Sequence, residues 1–452
     1  MTSGHSAAPG SCPAGGDAAG EISGDGEISA DVRTDRAVSG RGAAGLAAGG
    51  ALLIAGILAV SFNMRAAVTS LPPVFPEMTA AAGWTTATKS ALAAVPVLSF
   101  AVFSGIAPVL ARKIGEERVL ALALLLIAAG LGLRSAAPGV MLFPGTVLAG
   151  CAIALVNVLL PSMIKRRRPD RAGLIVGLYL STLTAGAVLG AVIAVPVFTA
   201  AGGTASGGSG LAVRLTLGMW ALPAMAAVFV WLPQLRFRTV PVSAGGGRGV
   251  LAMGRIPLAW QVMAFMGLQS LSYYATLSWF PTMFRDHGIS AETAGNLLAL
   301  MNVGNAITGL MVPVLAHRVR DQRWLAAAAI FLITIGLAGS AFAPNRTVLL
   351  FVCLLGLGQG GAFGLSVFLF TARAADGHTA AALSGFAQGA GYLLASAGPL
   401  LIGLLHSATG SWTLPVLILL GVAGGQLVTG LLASRDKTIS GVDLEPAAPA
   451  RA

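Results

Sequence analysis

Charged residues are scarce in this chain. They occupy 10% of its 452 positions, while hydrophobic residues occupy 56%; soluble domains average about 25% charged residues. A water-soluble fold of this length has no way to bury so much apolar surface. The composition therefore excludes an ordinary soluble protein and indicates a chain that spans a membrane.

Cysteine and clustered histidine are also lacking, which excludes several kinds of site. The sequence predicts neither a disulfide framework nor a thiolate metal site from its three cysteines, Cys12, Cys151 and Cys353. No metal-ligand set is expected from its five histidines, His5, His287, His317, His378 and His406. A phosphate-binding loop is absent, and so are paired acids or a nucleophile with its base inside the apolar segments. We therefore expect no cofactor, no metal, no direct use of ATP and no enzymatic activity.

Apolar segments of about 20 residues, the length that crosses a bilayer, recur twelve times. A bilayer leaves no backbone group unpaired, so each is predicted to be a transmembrane helix. They lie near residues 46–70, 88–111, 118–136, 139–163, 171–198, 212–233, 256–284, 291–316, 323–343, 346–372, 379–406 and 412–433. The predicted divisions are a disordered cytoplasmic tail at 1–45, a six-helix bundle at 46–235, a central cytoplasmic loop at 236–254, a second six-helix bundle at 255–434 and a cytoplasmic tail at 435–452.

The net charge is +11, but the lysines and arginines cluster in short loops instead of along one soluble face. Their placement therefore indicates the orientation of the chain in the membrane rather than nucleic-acid binding. The even-numbered loops carry Arg112, Lys113 and Arg118; residues 165–168 with Arg171; Arg236, Arg238, Arg248 and Arg255; Arg318, Arg320 and Arg323; and Arg373. The odd-numbered loops hold only isolated basic residues, which are Lys89, Arg134, Arg214, Arg285 and Arg346. The positive-inside rule then predicts a multi-pass protein of the inner or plasma membrane with both termini cytoplasmic.

An internal repeat relates the two predicted bundles. A shift of 205 residues overlays 76–121 on 281–326 without a gap, matching Pro76 with Pro281 and Gly83 with Gly288. The matches include proline, glycine, threonine and arginine, so chance similarity of apolar sequence explains them poorly. The repeat predicts an all-α membrane protein of two pseudo-symmetric six-helix bundles that rock around a central site.

Arg65 is the candidate anchor for a ligand in that site. It is the one charge that the sequence places well inside an apolar span, and an arginine at the bilayer centre costs about 2.5–3.5 kcal/mol on insertion scales. Its planar guanidinium suits carboxylate-like or other small anions, and Pro72 and Pro73 loosen the helix just beyond it. The alternative is that its long side chain reaches the outer headgroups.

Several stretches resemble the major facilitator superfamily and, within it, the cyanate and nitroimidazole transporter family. They are Asn63-Met-Arg65 with Pro72-Pro73, Asn157 to Lys165, Ala259 to Pro281, Gly356 to Phe363 and Leu383 to Tyr392. The resemblance implies alternating access and a cyanate-like or nitroheterocyclic solute. It departs from the superfamily's signature between helices two and three, where Gly115 and basic residues are kept but the usual acid before them is missing. Glu116 and Glu117 are left open as partners of nearby arginines or as solvated charges.

Polar and aromatic residues within the spans complete the candidate site. The predicted substrate-binding residues are Arg65, Asn63, Asn157, Tyr273, Gln359, Gln388 and Tyr392; weaker candidates are Tyr179, Gln269, Tyr274, Trp279, Asn302 and Asn305. Each could instead be a polar contact between helices, worth about 0.6–2 kcal/mol. The small-residue pairs Gly173 and Gly177, Gly186 and Gly190, and Gly385 and Gly389 predict close helix packing.

The sequence therefore predicts a secondary or facilitated transporter of a small anionic or polar organic solute. Its expected partners are the lipid bilayer, that solute and a coupled proton or counter-ion, with no nucleic acid, and the chain is expected to act as a monomer. Proton coupling through Glu77, facilitated diffusion and exchange stay open, although Glu77 itself is predicted to be a solvated loop residue. The alternatives are a broad-specificity drug efflux pump and a non-transporting membrane sensor.

Overall fold

The computed structural model describes residues 51–104, 106–168, 171–204, 207–208, 210–237 and 247–440. Every contact below lies within the unit Leu52–Ala452. The predicted disordered tail at 1–45 and residues 238–246 of the predicted central loop lie outside the described residues.

The described residues form twelve long helices and one two-stranded hairpin. The helices are α1 (Ala51–Ala80), α2 (Thr86–Phe103), α3 (Glu116–Ala136), α4 (Leu142–Arg167), α5 (Ala172–Ala200), α6 (Gly210–Arg236), α7 (Pro257–Asp286), α8 (Ala291–Arg318), α9 (Arg323–Phe342), α10 (Val348–Ala372), α11 (Gly377–Thr409) and α12 (Thr413–Ala433). The hairpin pairs Gly203–Thr204 with Gly207–Gly208. Short helices follow α2, at Ala107–Ile114, and precede α7, at Gly247–Met253.

Two of these helices are interrupted. In α1 a 3₁₀ turn, Pro72–Val74, leads into a short helix, Phe75–Ala82; in α6 a turn at residues 219–220 separates Gly210–Gly218 from Ala221–Trp231. Consecutive prolines, which lack the N–H that an α-helix needs, account for the interruption in α1.

Eleven of the helices, all but α7, are long and apolar enough to cross a membrane. Helix α7 is long enough, at 30 residues, but it carries polar side chains such as Gln269, Ser270 and Ser272, which are buried. It packs against α8, α10, α11 and α12, and this cover explains why α7 does not need a continuous apolar surface.

The internal repeat extends to the detail of helix starts. Gly83 and Gly288, 205 positions apart, both have positive φ, at 68° and 86°, which favours glycine. Two residues later, Thr85 and Ser290 accept hydrogen bonds from the backbone N–H groups of Thr88 and Thr293, at 3.1 and 3.2 Å. Helices α2 and α8 therefore begin with the same turn and the same kind of cap.

The first six helices contact the last six along two seams. Helix α2 packs against α11, and α5 packs against α8, while the turn at Pro72–Val74 contacts α5, α7 and α8. A smaller contact joins α2 to α7, while the contacts of α3 with α4 and of α8 with α10 each stay within one set. The two seams place α1 and α7 at the centre, where the candidate site lies.

The paired acids at the start of α3 are not solvated. Glu116 and Glu117 are fully buried and form salt bridges with Arg166 and Arg167 at the end of α4, the second with a separation of 3.5 Å. Of the two readings that the sequence leaves open, the structure favours pairing with nearby arginines. The missing acid of the superfamily signature is thus accompanied by ion pairs between α3 and α4.

Two glycines of α5 allow its backbone to pack closely against that of α1, whereas a third glycine nearer the start of α5 makes no such contact. A Cβ added at Gly186 would collide with the backbone carbonyl of Phe62, and one added at Gly190 would lie 2.6 Å from that of Ala66. At Gly177 an added Cβ would meet nothing within 4 Å. The close-packing role predicted for these glycines holds for Gly186 and Gly190, whereas Gly177 faces open space.

We expect Gly186→Ala to destabilise the protein by about 1–3 kcal/mol, because the added methyl group overpacks the α1–α5 contact. The matched control on the same helix, Gly177→Ala, should be neutral or stabilising by up to about 1 kcal/mol, since alanine is the better helix former. Thermal unfolding of the purified variants measures the difference; equal midpoints would contradict this packing.

Candidate functional site

Arg65 points into the interior of the helix assembly and contacts α7. Its Nη1 donates a hydrogen bond to the hydroxyl of Tyr273 at 2.8 Å, and its guanidinium carbon lies 5.3 Å from the centre of that ring. The Tyr273 hydroxyl in turn donates to Oδ1 of Asn302 on α8, also at 2.8 Å. This chain of contacts joins α1, α7 and α8, so Arg65 does not extend to the membrane surface.

Tyrosines surround the guanidinium. The sequence contains four, and Tyr179 on α5, Tyr274 on α7 and Tyr392 on α11 lie within electrostatic range of Arg65, as Tyr273 does. Phe100 on α2 adds a ring 5.6 Å from that of Tyr392 and 6.3 Å from that of Tyr274. The site therefore combines one positive charge with phenol hydroxyls and aromatic faces contributed by helices from both seams.

The charge of Arg65 has no acidic partner in the described part of the chain. The carboxylates of the described residues form their salt bridges with other bases, such as Glu77 with Arg285. A buried charge without a partner is costly, and neutral hydroxyls offset only part of that cost. A negatively charged ligand would supply the missing countercharge.

A small cavity adjoins Arg65. It is lined by Met64, Arg65, Val68, Phe100, Ile153, Asn157 and Tyr274, and its volume is about 10 Å³, enough for about one water molecule. In this conformation an organic solute of several heavy atoms does not fit beside Arg65. Solute binding at this place requires the surrounding helices to separate.

The structure brings four of the seven predicted site residues together and holds three elsewhere. Arg65 and Asn157 line the cavity, and Tyr273 and Tyr392 lie near the guanidinium of Arg65. Asn63 donates to the carbonyls of Ala59 and Pro223, Gln388 donates to Ser384 of its own helix, and Gln359 is fully buried in a network with Gln269 and Ser272. These three make no contact with Arg65 among the described residues.

Besides Glu116, Glu117 and Arg373, which is 3% exposed, three charged residues that the sequence assigns to loops or helix ends are buried, so Arg65 is not the one charge inside the helix assembly. The exposed fractions are 2% for Arg134 on α3, 9% for Lys89 on α2 and 4% for Glu77. Arg134 contacts the carbonyl of Leu217 at 2.9 Å. Glu77 is not solvated, because it forms a salt bridge of 2.5 Å with Arg285.

The helices from both seams close together at the end of the molecule that holds Glu77, called the Glu77 end below. There the Glu77 salt bridge joins α1 to α7, and an added Cβ at Gly295 on α8 would lie 2.9 Å from the carbonyl of Ala191 on α5. The closure at the Glu77 end therefore separates that end from Arg65.

Comparison with known proteins decides the family. The family model of the Major Facilitator Superfamily matches residues 52–399 and 262–443. The chain belongs to this superfamily. It is also 39% identical over 392 residues to the 2-nitroimidazole transporter of Escherichia coli (strain K12), covering 86% of this chain and 96% of that one.

Other superfamily members extend the likeness. The chain is 32% identical to the cyanate transport protein of the same bacterium, covering 79% of this chain and 90% of that one. It is 37% identical to an uncharacterized transporter of Bacillus subtilis (strain 168), covering 86% and 94%. A crystal structure of a D-xylose–proton symporter shares the fold, with a TM-score of 0.67 at 17% identity over 86% of this chain and 99% of that one.

The protein is thus a multi-pass membrane transporter of the superfamily, with the predicted all-helical fold. Its described residues hold no group of three or more histidine, cysteine, aspartate or glutamate side chains that could bind a metal. What the sequence reasoning missed at the site is the contribution of Phe100, Val68 and Ile153, whose apolar side chains carry no signal of their own.

We expect Tyr273→Phe to lower the free energy of unfolding by about 1–3 kcal/mol, because Arg65 and Asn302 would each lose a buried hydrogen-bond partner. Tyr179→Phe is the matched control, since no hydrogen bond of the Tyr179 hydroxyl is found within the described residues. Thermal unfolding in detergent compares the two variants. An equal loss of stability would show that the Arg65–Tyr273–Asn302 chain has no special weight.

Proposed function

We propose that this transporter moves a small anionic or polar organic solute across the cell membrane by alternating access, with Arg65 as the anchor for the solute. The proposal includes two six-helix bundles, residues 46–235 and 255–434, joined by the loop at 236–254. One monomer contains the whole site, and both termini lie in the cytoplasm, so the Glu77 end faces outward.

The single observation that carries this proposal is a partly buried guanidinium with four tyrosines around it and no acidic partner among the described residues. An anion would complete its charge and accept hydrogen bonds from both the guanidinium and the phenols. Aromatic faces suit a flat ring. The two Escherichia coli relatives are named as transporters of 2-nitroimidazole and of cyanate, both of them small polar or anionic solutes.

Alternating access is supported by the contacts that close the two bundles against each other at the Glu77 end. Closure at the Glu77 end depends on the salt bridge of Glu77 with Arg285 and on the close approach of Gly295 on α8 to Ala191 on α5. The pairing with Arg285 favours a gating role for Glu77 over that of a free proton acceptor. Apolar drugs would leave Arg65 without a countercharge, so the site argues against a broad-specificity efflux pump.

Arg65→Gln should lower the kcat/KM of transport by about 100-fold, equivalent to about 3 kcal/mol for two charge-assisted hydrogen bonds. Arg65→Lys should lose less, because it keeps the charge but not the planar fork. Uptake of labelled 2-nitroimidazole and cyanate into proteoliposomes measures both. Arg346→Gln, at an exposed arginine, is the control and should transport normally; normal uptake by Arg65→Gln would overturn the anchor role.

Glu77→Gln should favour the conformation that is open at the Glu77 end, because it breaks a largely buried salt bridge between α1 and α7. We expect alkylation of a single cysteine at position 278, in a chain freed of native cysteines, to quicken about tenfold or more. Asp321→Asn removes the exposed partner of Arg323, 3.9 Å away, and should change nothing. The gate is disproved if both variants give the same alkylation rate.

A further inference from the structure

Arg134 is a second buried guanidinium without an acidic partner in the described residues. Its Nε donates to the carbonyl of Leu217 at 2.9 Å and its Nη2 to that of Ala67 at 3.5 Å. Both carbonyls lie just before the interruptions of α6 and α1, where helix carbonyls lose their usual partners. A guanidinium has five N–H donors, so these two contacts leave donors to spare and leave the charge unbalanced.

A cavity of about 30 Å³ lies beside Arg134. Its polar lining comes from Arg134, Thr146, Tyr274 and Ser278, and the rest of its wall is apolar. Thr146 already donates its O–H to the carbonyl of Leu142 at 2.7 Å, so the hydroxyl of Ser278 is the one that can donate to an anion beside Arg134.

This cavity adjoins the one beside Arg65. Val68, Ile153 and Tyr274 line both, so these three side chains form the partition between them. The Arg134 cavity is also lined by Leu71 and Phe75, which follow Arg65 on α1 in the direction of Glu77. Arg134 therefore lies between the Glu77 end and Arg65, on the route that opens when the Glu77 gate separates.

We propose that Arg134 forms a second binding site for a small anion, occupied before or after the Arg65 site as solute crosses the Glu77 end. The inference rests on the proposed function, in that it takes Arg65 to bind the same anion. A pathway conducts well when binding at each site is strong enough for entry and weak enough for release. Two adjacent guanidiniums with Tyr274 between them would let an anion pass from one binding site to the next without being held tightly at either.

The competing explanation is that Arg134 only ties α3 to the interrupted α1 and α6. A tether needs the two carbonyl contacts and no ligand, whereas a binding site needs the positive charge and the cavity. The two explanations therefore differ in whether an anion is found beside Arg134, and in whether its loss affects transport from one side of the membrane only.

Crystals of the wild-type protein soaked in bromide test the site directly by anomalous scattering. We expect two buried peaks, one beside Arg65 and one beside Arg134. A peak beside Arg65 alone overturns this inference and leaves the proposed function intact. A peak beside Arg134 alone overturns the anchor role of Arg65, and the absence of both overturns both proposals.

Transport from each side separates the roles of the two arginines. With 2-nitroimidazole as the probe in sided vesicles, Arg134→Gln should raise the KM at the Glu77 side about tenfold, the value of one charge-assisted hydrogen bond, and change the opposite side less than about twofold. Arg134→Lys, which keeps the charge, should recover most of that affinity. Equal effects on both sides, or no recovery by lysine, would support the tether instead.

Discussion

The arrangement of this transporter depends on the positive charge of Arg65, which is held among tyrosines at the centre of the helix assembly and has no acidic partner in the described residues. Charge in a low-dielectric interior must find a partner, and the described residues around Arg65 offer hydroxyls but no carboxylate. Helix α7 is the one long helix of the described residues that is not apolar enough by composition to cross a membrane. It supplies Tyr273 and Tyr274 to the guanidinium, and its neighbours cover the polar surface that lipid would otherwise face.

The repeat places this interaction and the gate in the same geometric relation. Arg65 contacts Tyr273 and Glu77 contacts Arg285, and both pairs are 208 positions apart. Since the repeat itself has an offset of 205, each pair joins α1 to a position about one turn beyond its counterpart on α7. The same two helices, α1 and α7, therefore carry both the solute anchor and the salt bridge that closes the Glu77 end. A movement of α1 against α7 would change both contacts at once.

Hydropathy and the repeat were sufficient to predict the helices, because bilayer thickness and backbone pairing leave few other structures for such a chain. Arg65 could be predicted because it lies well inside its span. Arg134 could not, because at the end of a span a sequence does not reveal whether a long side chain turns outward or inward. Its burial depends on the interruption of α6, which exposes the carbonyl of Leu217.

The same limit applies to the polar candidates. Gln359 and Tyr392 have equal standing in the sequence, yet Gln359 is enclosed by Gln269 and Ser272 whereas Tyr392 faces Arg65. Which side chains reach a central cavity depends on the rotation of each helix about its axis. That rotation is set by packing between distant segments, such as Gly186 against Phe62, and no local pattern records it.

The central claim is that the solute supplies the negative charge that Arg65 lacks. Equilibrium binding of 2-nitroimidazole and its N-methyl derivative to the purified protein, across a pH range, tests it directly, because only the first can lose its ring N–H proton to become an anion. The account predicts that binding of 2-nitroimidazole strengthens as the pH rises through its ionisation, while the N-methyl compound binds weakly throughout. Equal, pH-independent binding of the two compounds would contradict it.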